Sequence, residues 1–257
     1  MNLKKLIFTN SDCYKTGKTI KPKGIMVHST AANNPNLRRY VGPDDGYLGK
    51  NSNNNHWNKP GLTSCVHAFI GKLADGSIAT YQTLPWNHRA WHCASGKNGS
   101  GNDTHISFEI CEASLTDSAY FNKVYKEAVE LCAYLCKMYN LTEKDIICHS
   151  EGYARGIASN HGDVMHWFPK HGKSMDTFRA DVKKLLNDET GTWEESNMKY
   201  YKEYEDVPAC YQEAIKVLMD KGFLRGYGDA DNDGKRDLNI SEDLCRTLTI
   251  LHRAGVF

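Results

Sequence analysis

The sequence predicts an α/β domain with a central mixed sheet flanked by helices, followed by a small, mainly helical domain. Three observations carry this. Short apolar runs with strand patterning recur through the first 150 residues, two segments show helical spacing, and the charge balance changes abruptly near residue 188.

The strand signals come in order. "KGIMVHST" is an apolar run ending in a polar cluster, and "CVHAFIGKLADGSIATYQTLP" holds two runs joined at Asp75-Gly76, a hairpin turn pair. "THISFEICE" alternates, so Ile106, Phe108 and Ile110 share one face while Ser107, Glu109 and Cys111 share the other. "KDIICHS" ends as the first run does. Between the strands, Ala119 to Met138 places Phe121, Val124, Tyr125, Ala128, Leu131, Cys132 and Leu135 at helical spacing. "SMDTFRADVKKLLND" repeats that pattern, with Ser174 in the N-cap position. Residues 42–62 form a long Gly/Asn/Pro-rich segment, and long loops in compact domains tend to be functional.

Charge divides the chain. Residues 1–187 hold 23 lysines and arginines against 16 acidic residues, a net +7, whereas "DETGTWEESN" (188–197) carries −4 and residues 198–257 carry −2. The acidic stretch reads as a linker. A basic first domain suits an anionic target. Nucleic acid is excluded, because no stripe of interleaved basic and aromatic residues supports it. No apolar run reaches the roughly 20 residues of a membrane span, and the N-terminal apolar patch is too short for a signal peptide, so no membrane anchor is expected and synthesis is placed in the cytoplasm. Nine cysteines, an odd number with no CxxC pair, argue against a disulfide framework or an all-cysteine metal site and for a reducing compartment. Cys132 and Cys136 read as small core residues.

The candidate site begins with two strands that finish alike. "IMVHST" places His28 and "IICHSE" places His149, each on a strand-end platform where side chains 121 residues apart can converge. The following loop offers Asp163. Two imidazoles and one carboxylate with an open fourth position describe a catalytic zinc site, since a structural one closes with four protein ligands.

The order His28, "VHAFIGKLADGSIATYQTLP", "NHRAWHC", "NDTHISFEI", "ICHSE" and "NHGDVMHWFP" resembles the zinc-dependent N-acetylmuramoyl-L-alanine amidases that share the peptidoglycan-recognition-protein fold. It is most similar to the phage and prophage endolysins of Gram-positive, clostridial-type hosts. The resemblance covers about residues 20–187. It implies zinc ligation by His28, His149 and Asp163, and a general base at Glu109. Glu151, two residues past His149, is the rival base, in a position suited to a supporting role. The family places a cationic donor two residues ahead of the third ligand, here His161. This chain departs from the family pattern, because Gly162 intervenes and "VMHWF" replaces a Pro-Gly. His161 and Asp163 both therefore stand as candidates for the third ligand, with the donor, spacer, ligand order favouring Asp163. His67, Trp91 and His92 are implied to line the substrate groove, with Trp86, His88 and the 42–62 loop at its rim. His166 and His171 are assigned to packing or the rim.

The implied function is an endolysin that lyses Gram-positive cells by hydrolysing the amide between N-acetylmuramic acid and L-alanine, reaching the wall through holin pores. The alternative is a non-catalytic peptidoglycan-recognition protein, against which the complete His28, His149, Asp163 set argues. Residues 198–257 resemble the short C-terminal wall-binding modules of such enzymes and, distantly, surface-layer-homology units. Self-association is the other expectation for them. "WEESNM" can encode a ribosome-binding site ahead of Met198, and an internal start there would yield free C-terminal modules for assembly with the full chain. Asp229, Asp231, Asp233 and Gly234 fit the first half of a calcium loop, but position twelve is Ile240, so a solvated acidic turn is the reading.

Overall fold

The computed structural model describes residues 1–187, 200–201, 203–224, 238 and 240–257. The expected linker, Met198 and the acidic turn at Asp229 to Gly234 lie outside the described residues. The chain divides into two compact units, Met1–Glu189 and Thr190–Phe257.

In the first unit the elements run β1 (Leu3–Lys5), α1 (Asp12–Lys15), β2 (Gly24–Ser29), β3 (Ala68–Lys72), β4 (Ile78–Gln82), β5 (His105–Ile110), α2 (Ser118–Tyr139), β6 (Ile146–Cys148), α3 (His149–Ala154) and α4 (Met175–Asn187). They form a six-stranded mixed sheet in the order β1-β4-β3-β5-β2-β6, in which only β3 and β4 pair antiparallel. The β3–β4 hairpin turns where expected. Asp75 Oδ1 accepts from the Ser77 N–H at 2.9 Å, and Gly76 takes the left-handed φ of 84° that a side chain would strain.

The predicted helix over 119–138 is α2, and its seven apolar positions are all buried. Asp117 caps its start by accepting from the Tyr120 N–H, and Asn140 ends it in the left-handed conformation. Ser174 caps α4 through the Thr177 N–H at 3.2 Å. Both helices pack against each other, and α2 also lies against β3 and β4. The sheet's two faces separate as the β5 alternation predicts: Ile106, Phe108 and Ile110 are fully buried, while Glu109 opens toward a cleft.

Two features differ from expectation. The N-terminal "LKK" adds an edge strand, β1, parallel to β4, a pairing too short to show in periodicity. Cys13 and Cys65 form a disulfide with Cα atoms 6.7 Å apart, a single crosslink that the reading against a disulfide framework did not anticipate. Spacing could not pair cysteines 52 residues apart. Cys132 and Cys136 are buried free thiols, as expected of core residues.

The second unit contains β7 (Tyr200–Tyr201), α5 (Ala209–Asp220), β8 (Ile240–Ser241) and α6 (Glu242–Arg253). The two short strands pair antiparallel, and Tyr201, Val207, Ile215, Leu238, Ile240 and Cys245 form a small core. Among the described residues no helix is long and apolar enough to cross a membrane.

Candidate active site

The site forms because β2 lies between β5 and β6 and runs parallel to both. Parallel neighbours deliver their carboxyl ends to one edge of the sheet, where α/β folds open their clefts. His28 pairs in register with Glu109, and Val27 with Cys148, so His149, the first residue of α3, emerges beside His28. That junction is fixed from behind. Glu151 accepts from the Cys148 N–H at 3.0 Å and takes both Arg179 terminal nitrogens at 3.0 Å. Asp163 is only 4% exposed, on a loop anchored by buried Val164, Trp167 and Phe168.

Three ligand atoms converge. His28 Nδ1 lies 3.0 Å from Asp163 Oδ2 and 3.2 Å from His149 Nδ1, and His149 Nδ1 is 3.5 Å from Asp163 Oδ2. A tetrahedron with metal bonds of 2.0–2.1 Å has edges of about 3.3 Å, so this triangle matches one face of a zinc coordination sphere. Two imidazole nitrogens aimed at one another beside a carboxylate are a donor set that a cation satisfies. This is the one such buried His/Asp group among the described residues.

Each candidate ligand has a partner behind it. The second nitrogen of His28, Nε2, meets His92 Nδ1 at 2.9 Å, that of His149 meets Ser159 Oγ at 3.3 Å, and Asp163 Oδ1 meets His161 Nδ1 at 2.8 Å. Such partners fix ring tautomer and orientation. With a metal on Nδ1, His28 carries its proton on Nε2 and donates it to His92.

Burial lowers the pKa of His28 despite the Asp163 carboxylate beside it, and lowers that of His92 much further, so both rings favour the neutral form. Burial opposes ionisation of Asp163, but hydrogen bonds from His149 and His28 outweigh it and hold the carboxyl well below the usual range. Glu109 goes the other way. Burial, then the charges of Asp163 and Glu112, raise its pKa well above an ordinary carboxyl, and its Oε2 is sealed from solvent without a partner.

The cleft has a volume of about 360 Å³, and His28, Glu109, His149, His161, Asp163 and His92 all contribute to its lining. His161 is 56% exposed and stacks beside His149 with ring centroids 5.2 Å apart. Trp57 from the 42–62 loop stands in the wall with Tyr40 and Arg39. A wider groove of about 530 Å³ continues past Asp163 along Glu112 and His166. Glu151, committed to Arg179 and the Cys148 N–H, is absent from the lining of both cavities.

Other expected groove residues lie elsewhere. His67 is fully buried: the Ser107 N–H donates to its Nδ1 and its Nε2 donates to the His88 carbonyl, with burial bringing its pKa down to about 4. Trp91 packs against Cys13, Cys65, Leu84 and Ala90. Trp86 and His88 are buried, the latter bonded to the Cys13 carbonyl. The resemblance implied a groove or rim position for these four; His67, Trp86 and His88 are buried, and Trp91 is half-buried. His166 lines the wider groove through its bond to Glu112, and His171 stacks on Phe121 at 4.0 Å. Ser159, Tyr40 and Arg39 escaped the sequence reading, since no spacing relates them to the triad.

A profile of the family described as N-acetylmuramoyl-L-alanine amidase matches residues 18–166. CwlA of a Bacillus species, an N-acetylmuramoyl-L-alanine amidase, is 36% identical over 158 residues, covering 58% of this chain and 61% of the relative. CwlH of Bacillus subtilis strain 168 is 29% identical over 151 residues, covering 59% and 53%. The match thus spans between half and two thirds of these relatives' length. The catalytic domain of XlyA from Bacillus subtilis strain 168 superposes with a TM-score of 0.51 at 24% identity, over 71% of this chain and 99% of that one. The PlyG catalytic domain superposes at 0.50 and 24% identity, over 74% and 98%, so the fold is shared. With its matched segment running from before β2 through Asp163, the chain belongs to the N-acetylmuramoyl-L-alanine amidase family.

Proposed function

We propose that the chain hydrolyses the amide between N-acetylmuramic acid and the L-alanine of the peptidoglycan stem peptide, with zinc held by His28, His149 and Asp163. The observation that carries this reading is the tetrahedral-edge triangle of their ligand atoms in the cleft that Glu109 also lines. Bound zinc supplies Lewis acidity to a water and to the scissile carbonyl. Glu109, in register with His28 and lining the same cleft, takes the water's proton and returns it to the departing alanine nitrogen. Its raised pKa suits both halves of that transfer. As an imidazolium, His161 donates its Nδ1–H to Asp163 Oδ1, which aligns the ring, and its Nε2–H to the oxygen that gains charge as the carbonyl is attacked. His92 lines the cleft and supports His28.

Digestion of purified Gram-positive walls by the zinc-loaded chain tests this, with fragments read by mass spectrometry. Free stem peptides beginning with L-alanine and intact glycan, both lost in Glu109→Gln and Asp163→Ala, are expected. Wall binding without release, and no zinc in the purified chain, would replace the enzyme by a recognition protein.

The same reading makes the chain an endolysin of a phage or prophage that reaches the wall through holin pores. Its second unit is the wall-binding module. Lysis from outside by the whole chain, weakened when residues 198–257 are removed, is the expected result.

A further inference from the structure

A third cavity, of about 370 Å³, adjoins the cleft and has a different chemistry. Its lining includes Arg38, Arg39, Lys50 and the amides of Asn34, Asn51 and Asn55, and it contains neither a carboxylate nor an aromatic ring. Arg39 lines both this groove and the metal-site cleft, so the two are neighbouring stations for one extended molecule. The walls are ordered from within: Asn51 donates to the Arg38 carbonyl at 2.7 Å, Arg39 Nη1 donates to the Asn55 carbonyl, and Asn34 Oδ1 accepts from the Asn36 N–H at 3.1 Å. Among the described residues none of the three cations pairs with a carboxylate. The wider groove, which shares His161 and Asp163 with the cleft where the cationic one shares Arg39, is lined by Glu112 and Asp163 and holds no lysine or arginine.

We infer that this cationic groove is a carboxylate-recognition subsite for the peptide portion of the substrate. The inference rests on the amidase reading. A peptide bound through its first residue at the metal site carries side-chain and terminal carboxylates, whereas the N-acetylated glycan on the other side of the scissile bond is neutral. The charge contrast between the two flanking grooves therefore orients the substrate, peptide toward Arg38 and Lys50 and sugar toward His166. Planar guanidinium groups match carboxylates geometrically, and the asparagine amides supply donors for peptide carbonyls. Phosphodiesters of wall polymers would meet the same cations, but they are not continuous with the amide that occupies the cleft.

The test is calorimetric binding to the zinc-loaded full chain at low salt. The probes are an acidic tripeptide beginning with L-alanine, the same tripeptide with every carboxylate amidated, and polyglycerol phosphate. The wild type is expected to bind the acidic peptide about tenfold or more tightly than the amidated one. Arg38→Gln/Lys50→Gln erases that gap while keeping the melting temperature, and Lys123→Gln/Lys170→Gln, which removes the same charge elsewhere, keeps the gap. Equal affinity for both peptides in the wild type would overturn the inference, as would a gap that survives Arg38→Gln/Lys50→Gln, or dependence on these residues confined to the phosphate polymer. Because the probes contain no scissile amide, peptide binding by a chain that releases nothing from walls would refute hydrolysis alone. On a cleavable muramyl peptide, the double variant should raise KM about tenfold for the acidic form and leave the amidated form unchanged.

Discussion

His28 and Glu109 stand opposite one another on neighbouring parallel strands, so the pleat carries both side chains to the same face of the sheet. Their spacing is set by the backbone ladder and not by a flexible loop. Glu109→Gln keeps the shape and removes the proton carrier. Wall hydrolysis should fall by about 10²–10⁴ with zinc content unchanged, measured by peptide release and metal analysis on the same samples.

The same carboxyl makes the metal-free chain sensitive to pH. A folded-state pKa above the unfolded one means that the native state holds more protons, so stability falls as pH rises above the ordinary carboxyl value. Glu109→Gln removes this penalty. The metal-free variant should exceed the wild type near pH 8 by on the order of 1 kcal/mol or more, with the gap closing toward pH 4. Denaturant titrations at the two pH values check it.

His92 holds the outer nitrogen of His28 at 2.9 Å. His92→Ala should weaken zinc binding about 10–100-fold, and His92→Gln, whose amide oxygen can accept the same hydrogen, should recover part of the loss. Competition with a chromophoric chelator reads both without an activity assay.

Glu151 and Arg179 test whether a carboxylate near the metal is chemical or structural. Their two-point ion pair ties α4 to the β6–α3 junction. Arg179→Ala should cost about 1–3 kcal/mol of stability while kcat at a temperature well below melting stays near wild type. A kcat loss comparable to that of Glu109→Gln would return Glu151 to the list of bases.

The Cys13–Cys65 disulfide closes a loop over 52 residues. Chain-entropy arguments assign such a crosslink about 4 kcal/mol. Cys13→Ser/Cys65→Ser should lower stability by up to that amount, and reductant should reproduce the shift in the wild type only.

The sequence displayed the main strands and both long helices because their apolar spacing is the packing: the seven predicted positions of α2 are the ones the core covers. The placement of His28, Glu109 and His149 follows from strand ends and strand alternation, whereas Asp163 arrives on a loop and was named from the loop's sequence and the family resemblance. The groove residues were not legible in this way. His67 and Trp91 were named from the resemblance; His67 is fully buried and bonded to the His88 carbonyl, and Trp91 packs half-buried against Cys13 and Cys65. Ser159 reaches the site through irregular backbone and Arg39 from the single 3-10 turn Leu37–Arg39, neither of which is long enough to show a period. The β1 edge strand and the disulfide depend on contacts between distant segments, and no local pattern encodes them.

His28, Glu109 and His149 ride on β2, β5 and the β6–α3 junction and Asp163 on the loop after α3, whereas Arg38, Arg39, Lys50 and Trp57 ride on the connection between β2 and β3. If the cationic groove reads the peptide as inferred above, chemistry and selectivity are written on separate stretches of chain. On that reading, an exchange of residues 31–62 between relatives is expected to transplant a preference for one wall over another while His28, Glu109, His149 and Asp163 stay in place, although Arg39, Tyr40 and Trp57 of the exchanged segment also line the cleft.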